Sequence, residues 1–114
     1  MVKKKSSPER GDIWWVSFDP SIGSEIKKTR PAIIISNDFS NLHLSRFQVI
    51  PITSNIDKLY PSEAYVNVGK KKGKAMTDQI TTISKERLVK FESKLSKNEL
   101  QNVENALEIQ LGLL

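Results

Sequence analysis

Arg30-Pro31-Ala32-Ile33-Ile34-Ile35-Ser36-Asn37 is the stretch that decides the fold of this 114-residue chain. From Ala32 to Ile35 four apolar residues follow one another without a polar break. Successive side chains on a strand point to opposite faces, so an unbroken apolar strand is covered on both sides. Pro31 is tolerated at the first strand position, and Ser36-Asn37-Asp38 ends the strand. A strand buried on both faces needs neighbours. Ile13–Phe18, rich in aromatic and β-branched residues, Phe47–Ile52 and the alternating Ala64–Val68 read as three of them. Lys74–Ile83 reads as a fifth strand, broken near Asp78-Gln79.

The rest of the chain fills in around these strands. Residues 39–45 fit a short helical turn, Gly69–Gly73 a lysine-rich turn, and Ser84 an N-cap for one turn over Lys85–Leu88. Ser96-Lys97-Asn98-Glu99 matches a capping box. Behind it Leu100, Val103, Leu107 and Leu111 lie on one helical stripe, stopped at Gly112. The expectation is a mainly β (α+β) fold: a small, strongly bent sheet or barrel with short helices and a C-terminal helix packed on it. Residues 1–9 read as a flexible basic tail and residues 10–114 as a single domain.

Composition narrows the function. Cysteine is absent and His43 is the only histidine. Disulfides, thiolate zinc sites, cysteine nucleophiles and two-histidine ribonuclease chemistry are excluded. No apolar run approaches the ~18 residues of a membrane span, and no secretory h-region follows the N-terminal lysines, so a cytoplasmic protein is expected. The net charge of +5 is uneven: +3 in residues 1–10, +2 in residues 11–83 and none in residues 84–114. A polyanion partner and a solvated lysine-rich hairpin at Lys70–Lys74 both fit this distribution.

Three polar groups sit at strand ends. Ser24, Glu25 and Arg30 precede the apolar strand, and Arg30 could hold a phosphate bidentately or pair with Glu25 or Asp12. Thr53 and Ser54 could donate to a phosphate oxygen or cap a turn. Asp78-Gln79 interrupts a strand, and Gln79 could read a base edge or satisfy backbone. Trp14 and Trp15 face opposite sides, so one is core and the other is expected at an interface or stacked on a base, the interface being favoured. His43 reads as a solvated loop residue.

Taken in order, Arg10-Gly11-Asp12-Ile13-Trp14-Trp15-Val16, Asp19-Pro20, Gly23-Ser24-Glu25, Arg30-Pro31-Ala32, Asn37, Pro51-Ile52-Thr53-Ser54 and Asp78-Gln79-Ile80 resemble the MazF/PemK endoribonuclease toxins of bacterial toxin–antitoxin modules. The resemblance runs from about residue 10 to the C-terminus. It implies an SH3-like barrel, a homodimer and ribosome-independent, sequence-specific cleavage of single-stranded RNA to 2′,3′-cyclic phosphate and 5′-hydroxyl ends. It implies no metal and no cofactor. It also implies a cognate antitoxin whose extended segment covers the RNA groove and with which DNA is bound. Arg30 and Thr53 match the family's catalytic arginine and threonine; Ser24, Glu25, Ser54, Asp78 and Gln79 fall at substrate-side positions. Ser24, Met76 and Thr81 depart from the histidine, arginine and basic residue of some relatives, which bears on base choice and phosphate grip rather than reaction type. The same barrel also serves a non-catalytic, gyrase-binding toxin, and a degenerate RNA-binding member is a further alternative.

Overall fold

The structure is a computed structural model and describes residues 7–114. Seven strands form one curled antiparallel sheet: β1 Asp12–Ser17, β2 Thr29–Ile34, β3 Arg46–Thr53, β4 Glu63–Val68, β5 Lys71–Met76, β6 Thr81–Ser84 and β7 Leu88–Lys94. The spatial order is β4-β5-β3-β2-β1-β7, and β6 turns back to pair with β3. Two helices complete it, α1 Asp38–His43 and α2 Lys97–Gln110.

The apolar run behaves as its sequence requires. Ile33 and Ile35 enter one core with Ile13, Ile50, Ile52, Ala75 and, from α2, Val103 and Ala106. Ala32 and Ile34 enter a second core with Trp14, Val16, Phe47, Val49 and Ile83. One strand thus serves two cores, and the sheet curls around them as a half-barrel with α2 closing one side. The capping box is formed, with Glu99 N–H donating to Ser96 Oγ at 3.1 Å and Ser96 N–H to Glu99 Oε1 at 3.0 Å. At the other end of α2, Gly112 takes φ +70 and Leu113 N–H reaches Glu108 O, the glycine-stopped ending expected of this sequence.

Five expectations need correction. The described residues form seven strands rather than five. The Lys74–Ile83 stretch begins earlier, at Lys71; the expected break near Asp78-Gln79 is a 3-10 turn at Thr77–Gln79, and β5 before it and β6 after it pair with different parts of β3. β7 was not expected: Lys90, Glu92 and Lys94 dilute its apolar pattern, and none of its residues is fully buried. Ser84 does not cap the 3-10 turn at Lys85–Arg87; its hydroxyl bonds Glu86 instead. Leu111 is the C-cap of α2 and is 51% exposed, while Ala106, outside the expected stripe, is buried beside Val103. The proposed tail lies largely outside the described residues, but Pro8 at its end is buried and Glu9 N–H donates to Asp12 Oδ2.

The elements that carry the polar strand ends are firmly tied. Phe18 N–H donates to Lys28 O at 2.8 Å and Lys28 N–H to Asp19 Oδ1 at 3.0 Å, closing the neck of the β1–β2 loop. Lys28 holds φ 68 there, a left-handed conformation that costs a non-glycine residue about 1–3 kcal/mol. Gly73 lets β5 press against β3: a Cβ at that position would meet Ile52 Cγ2 at 2.6 Å.

A cationic groove and a second polar pocket

Arg30 stands at the start of β2, two residues beyond the pinned neck of the β1–β2 loop. Thr53 ends β3. The β2–β3 register pairs Ala32 with Pro51, and extending it two residues along both strands sets Arg30 across from Thr53. Both line a groove of ≈ 620 Å³, together with Ser54, Trp15, Lys28, Lys70, Lys71 and Glu92. Four cations and one carboxylate therefore face a single concavity.

Bonding leaves the right atoms available. Arg30 Nε donates to Lys27 O at 2.9 Å, which fixes the side chain. Among the described residues its two terminal nitrogens have no partner. The ion pairs considered for Arg30 are not made: Glu25 Oε1 accepts from Ile22 N–H, and Asp12 is engaged by Trp14 Nε1 and Lys94 Nζ. Thr53 Oγ1 accepts from Asn55 N–H at 3.2 Å. That bond uses a lone pair and leaves the hydroxyl hydrogen to donate. Turn capping and phosphate donation are thus compatible in one side chain.

The remaining candidates lie elsewhere. Glu25, Asp78 and Gln79 line a separate pocket of ≈ 290 Å³ with Ser21, Thr81, Thr82 and Arg87. Ser24 is exposed and lines neither concavity. The lysine hairpin also divides. Gly69 takes φ +62 in a two-residue loop, and Lys70 and Lys71 face the groove. Lys74 is buried, pairs with Glu63 at 3.1 Å and donates to Lys58 O at 2.7 Å, so it anchors the β3–β4 loop instead of presenting charge. His43 is exposed and lies against Phe39 at 4.5 Å between ring centroids, outside both concavities. Among the described residues, no three His, Asp or Glu side chains gather as a metal site.

Lys28 and Glu92 are groove residues that the sequence did not single out, whereas Lys70 and Lys71 belong to the lysine-rich turn it did. Glu92 was hidden with the strand that carries it. Trp15 was singled out but favoured for an interface; it forms groove wall, its Nε1 donating to Glu92 Oε1 at 2.8 Å, while Trp14 is the core partner.

A curled antiparallel sheet carries a cation-lined groove at its strand ends, with an arginine whose terminal nitrogens are free among the described residues and a hydroxyl in the same groove. Comparison with known proteins narrows the class. The family model described as PemK-like, MazF-like toxin of type II toxin–antitoxin system matches residues 9–111, and the chain belongs to that family. It is 37% identical over 113 residues to the endoribonuclease MazF9 of Mycobacterium tuberculosis, covering 91% of this chain and 96% of that protein. It is 36% identical over 110 residues to the endoribonuclease MazF of Staphylococcus epidermidis, covering 91% of each. Crystalline MazF from Deinococcus radiodurans superposes with TM-score 0.84 at 25% identity, over 95% of this chain and 99% of that one. A mycobacterial endoribonuclease in complex with its cognate antitoxin shares the fold, with TM-score 0.81 at 20% identity over 95% of this chain and 98% of that one. No helix among the described residues is long and apolar enough to cross a membrane.

Proposed function

We propose that this chain is the endoribonuclease toxin of a toxin–antitoxin module, and that it cleaves single-stranded RNA in the Arg30–Thr53 groove without a metal. The carrying observation is the free guanidinium nitrogen pair of Arg30 in the same groove as the Thr53 hydroxyl. RNA brings its own nucleophile. The ribose 2′-OH attacks the adjacent phosphorus and gives up its proton to water, the P–O5′ bond breaks and the 5′-oxygen takes a proton from water, and the products are a 2′,3′-cyclic phosphate and a 5′-hydroxyl. The enzyme has only to align these atoms and hold the charge that builds on the phosphorane. Arg30 spans two phosphate oxygens, and Thr53 donates to a non-bridging oxygen. A guanidinium keeps its proton in proteins, so the role assigned to Arg30 is charge stabilisation rather than proton transfer. Lys28, Lys70 and Lys71 draw the strand in.

Ser24, Glu25, Ser54, Asp78 and Gln79 are assigned to substrate contact, in three places: Ser54 beside the cleaved phosphate, Ser24 on the exposed β1–β2 loop, and Glu25, Asp78 and Gln79 in the smaller pocket, where hydroxyls, an amide and carboxylates suit base edges more than phosphates. The proposed assembly is a cytoplasmic homodimer neutralised by its cognate antitoxin. The complexes of the structural neighbours support such a partner.

The test is incubation of purified protein with unstructured RNA in EDTA, without ribosomes. Cuts at one short motif with 5′-hydroxyl ends support the proposal. Intact RNA with gyrase inhibited points to a target-binding toxin, and RNA bound without turnover to a degenerate relative; either result refutes the endonuclease.

A further inference from the structure

Cleavage as proposed has no use for the one carboxylate in the groove. Lys28, Arg30, Lys70 and Lys71 suit a phosphate backbone, and Glu92 among them repels it. Yet Glu92 is held in place. Its Oε1 accepts from Trp15 Nε1 at 2.8 Å, and its Oε2 lies beside Gly69, where a Cβ would sit 3.6 Å away. Among the described residues Oε2 has no hydrogen-bond partner. Trp15 is only partly buried and pairs with Pro31 across β1 and β2, next in the chain to Arg30. A fixed indole and a fixed carboxylate thus sit beside the phosphate-binding arginine.

These two groups complement a nucleobase rather than a phosphate. An indole face stacks on any base. A carboxylate accepts hydrogen bonds only, so it welcomes the exocyclic amino groups of guanine, adenine or cytosine, whereas uracil offers it a single N3–H flanked on both sides by carbonyl oxygens that repel it. We infer that Trp15 and Glu92 form a base-binding subsite that takes an unstacked nucleobase bearing an exocyclic amino group and rejects uracil, at a position next to the cleaved phosphate. The subsite rests on the endonuclease reading given above. It adds a specificity determinant on β7, the strand least evident in the sequence.

The experiment cleaves a random-sequence, unstructured RNA pool in EDTA with wild type, Glu92→Gln and Trp15→Phe, and sequences the 5′-hydroxyl ends. The wild-type motif should exclude uracil at one position beside the cut. Glu92→Gln should admit uracil there, raising its use relative to amino-bearing bases about ten-fold, with the other positions unchanged. Trp15→Phe keeps a stacking ring but frees the carboxylate, so it should relax the same position less. If Glu92→Gln does not fold, Trp15→Phe decides. A motif that admits uracil at every position, or one that neither substitution alters, overturns the inference. So does a uniform rise in cleavage of all sequences, which marks Glu92 as charge balance alone. RNA left intact by the wild type refutes the endonuclease reading and the subsite with it, whereas wild-type cutting with an unmoved motif refutes the subsite only.

Discussion

The groove at the ends of β2 and β3 and the pocket behind the Thr77–Gln79 turn share one loop and little else. The groove draws four cations and one carboxylate from the end of the β1–β2 loop, β2, β7 and the β4–β5 hairpin. The pocket has two carboxylates, an amide, several hydroxyls and a single cation, Arg87, whose guanidinium is already committed to Ser17 O at 3.0 Å and Asp19 O at 2.6 Å. The β1–β2 loop straddles them: its far end leads into Arg30, and its middle supplies Ser21, Glu25 and Ile26 to the pocket. The difference separates two jobs that a linear list of polar residues merges. In the proposed function, free cations gather where phosphate charge is to be held, while neutral and acidic hydrogen-bonding groups gather where bases are to be read.

This division can be broken experimentally at its strongest point first. Arg30→Ala should lower cleavage by at least about 10²–10³-fold, the usual worth of one well-placed charge-stabilising donor, with melting little changed because its one bond is to an exposed loop carbonyl. Single-turnover rates beside a thermal melt check this. Gln79→Ala, in the other concavity, should shift the cut-site motif more than the rate.

Arg87→Ala tests whether the pocket side depends on loop anchoring. It removes two charge-assisted bonds to backbone carbonyls and should cost about 1.5–3 kcal/mol in chemical denaturation. The loosened loop should also raise KM more than it lowers kcat. Charge reversal at Lys70 and Lys71 should weaken RNA binding across all sequences. The slope of log affinity against log salt should flatten by about 0.7 for each phosphate that is no longer neutralised. The same reversal at Lys74 should unfold or destabilise the protein, because that ammonium is buried against Glu63.

The smallest effect belongs to neither concavity. The Arg10 N–H beside Asp38 holds its carboxyl below the ordinary carboxylate range, with Asn41, Lys94 and the Arg10 charge acting in the same direction against a burial penalty. The folded-state value is depressed, so the stabilisation is complete above the unfolded value of about 4 and is lost as pH falls through the folded value. Asp38→Asn should therefore melt slightly lower than wild type at pH 7, with the difference shrinking as the pH falls below about 4.

What the sequence made legible follows from which interactions are local. The doubly buried Ala32–Ile35, the Ser96/Glu99 capping box and the Gly112 stop each state their own structure. The strand-end positions of Arg30 and Thr53 follow from where two apolar runs begin and end. β7 was not legible, because its alternation is blurred by Lys90, Glu92 and Lys94 and its pairing with β1 spans most of the chain. Glu92 went unseen with it. The separation of Glu25, Asp78 and Gln79 from Arg30 depends on the 3-10 turn that sends β6 back to β3, a decision made by packing rather than by residues 77–79 alone.

The account turns on one phosphate. A structure with a short RNA whose 2′-oxygen is removed at the cut site should place the scissile phosphate between the terminal nitrogens of Arg30 and Thr53 Oγ1, within hydrogen-bond distance of both. A scissile phosphate seated away from this groove, with Arg30 and Thr53 both out of its reach, would contradict it.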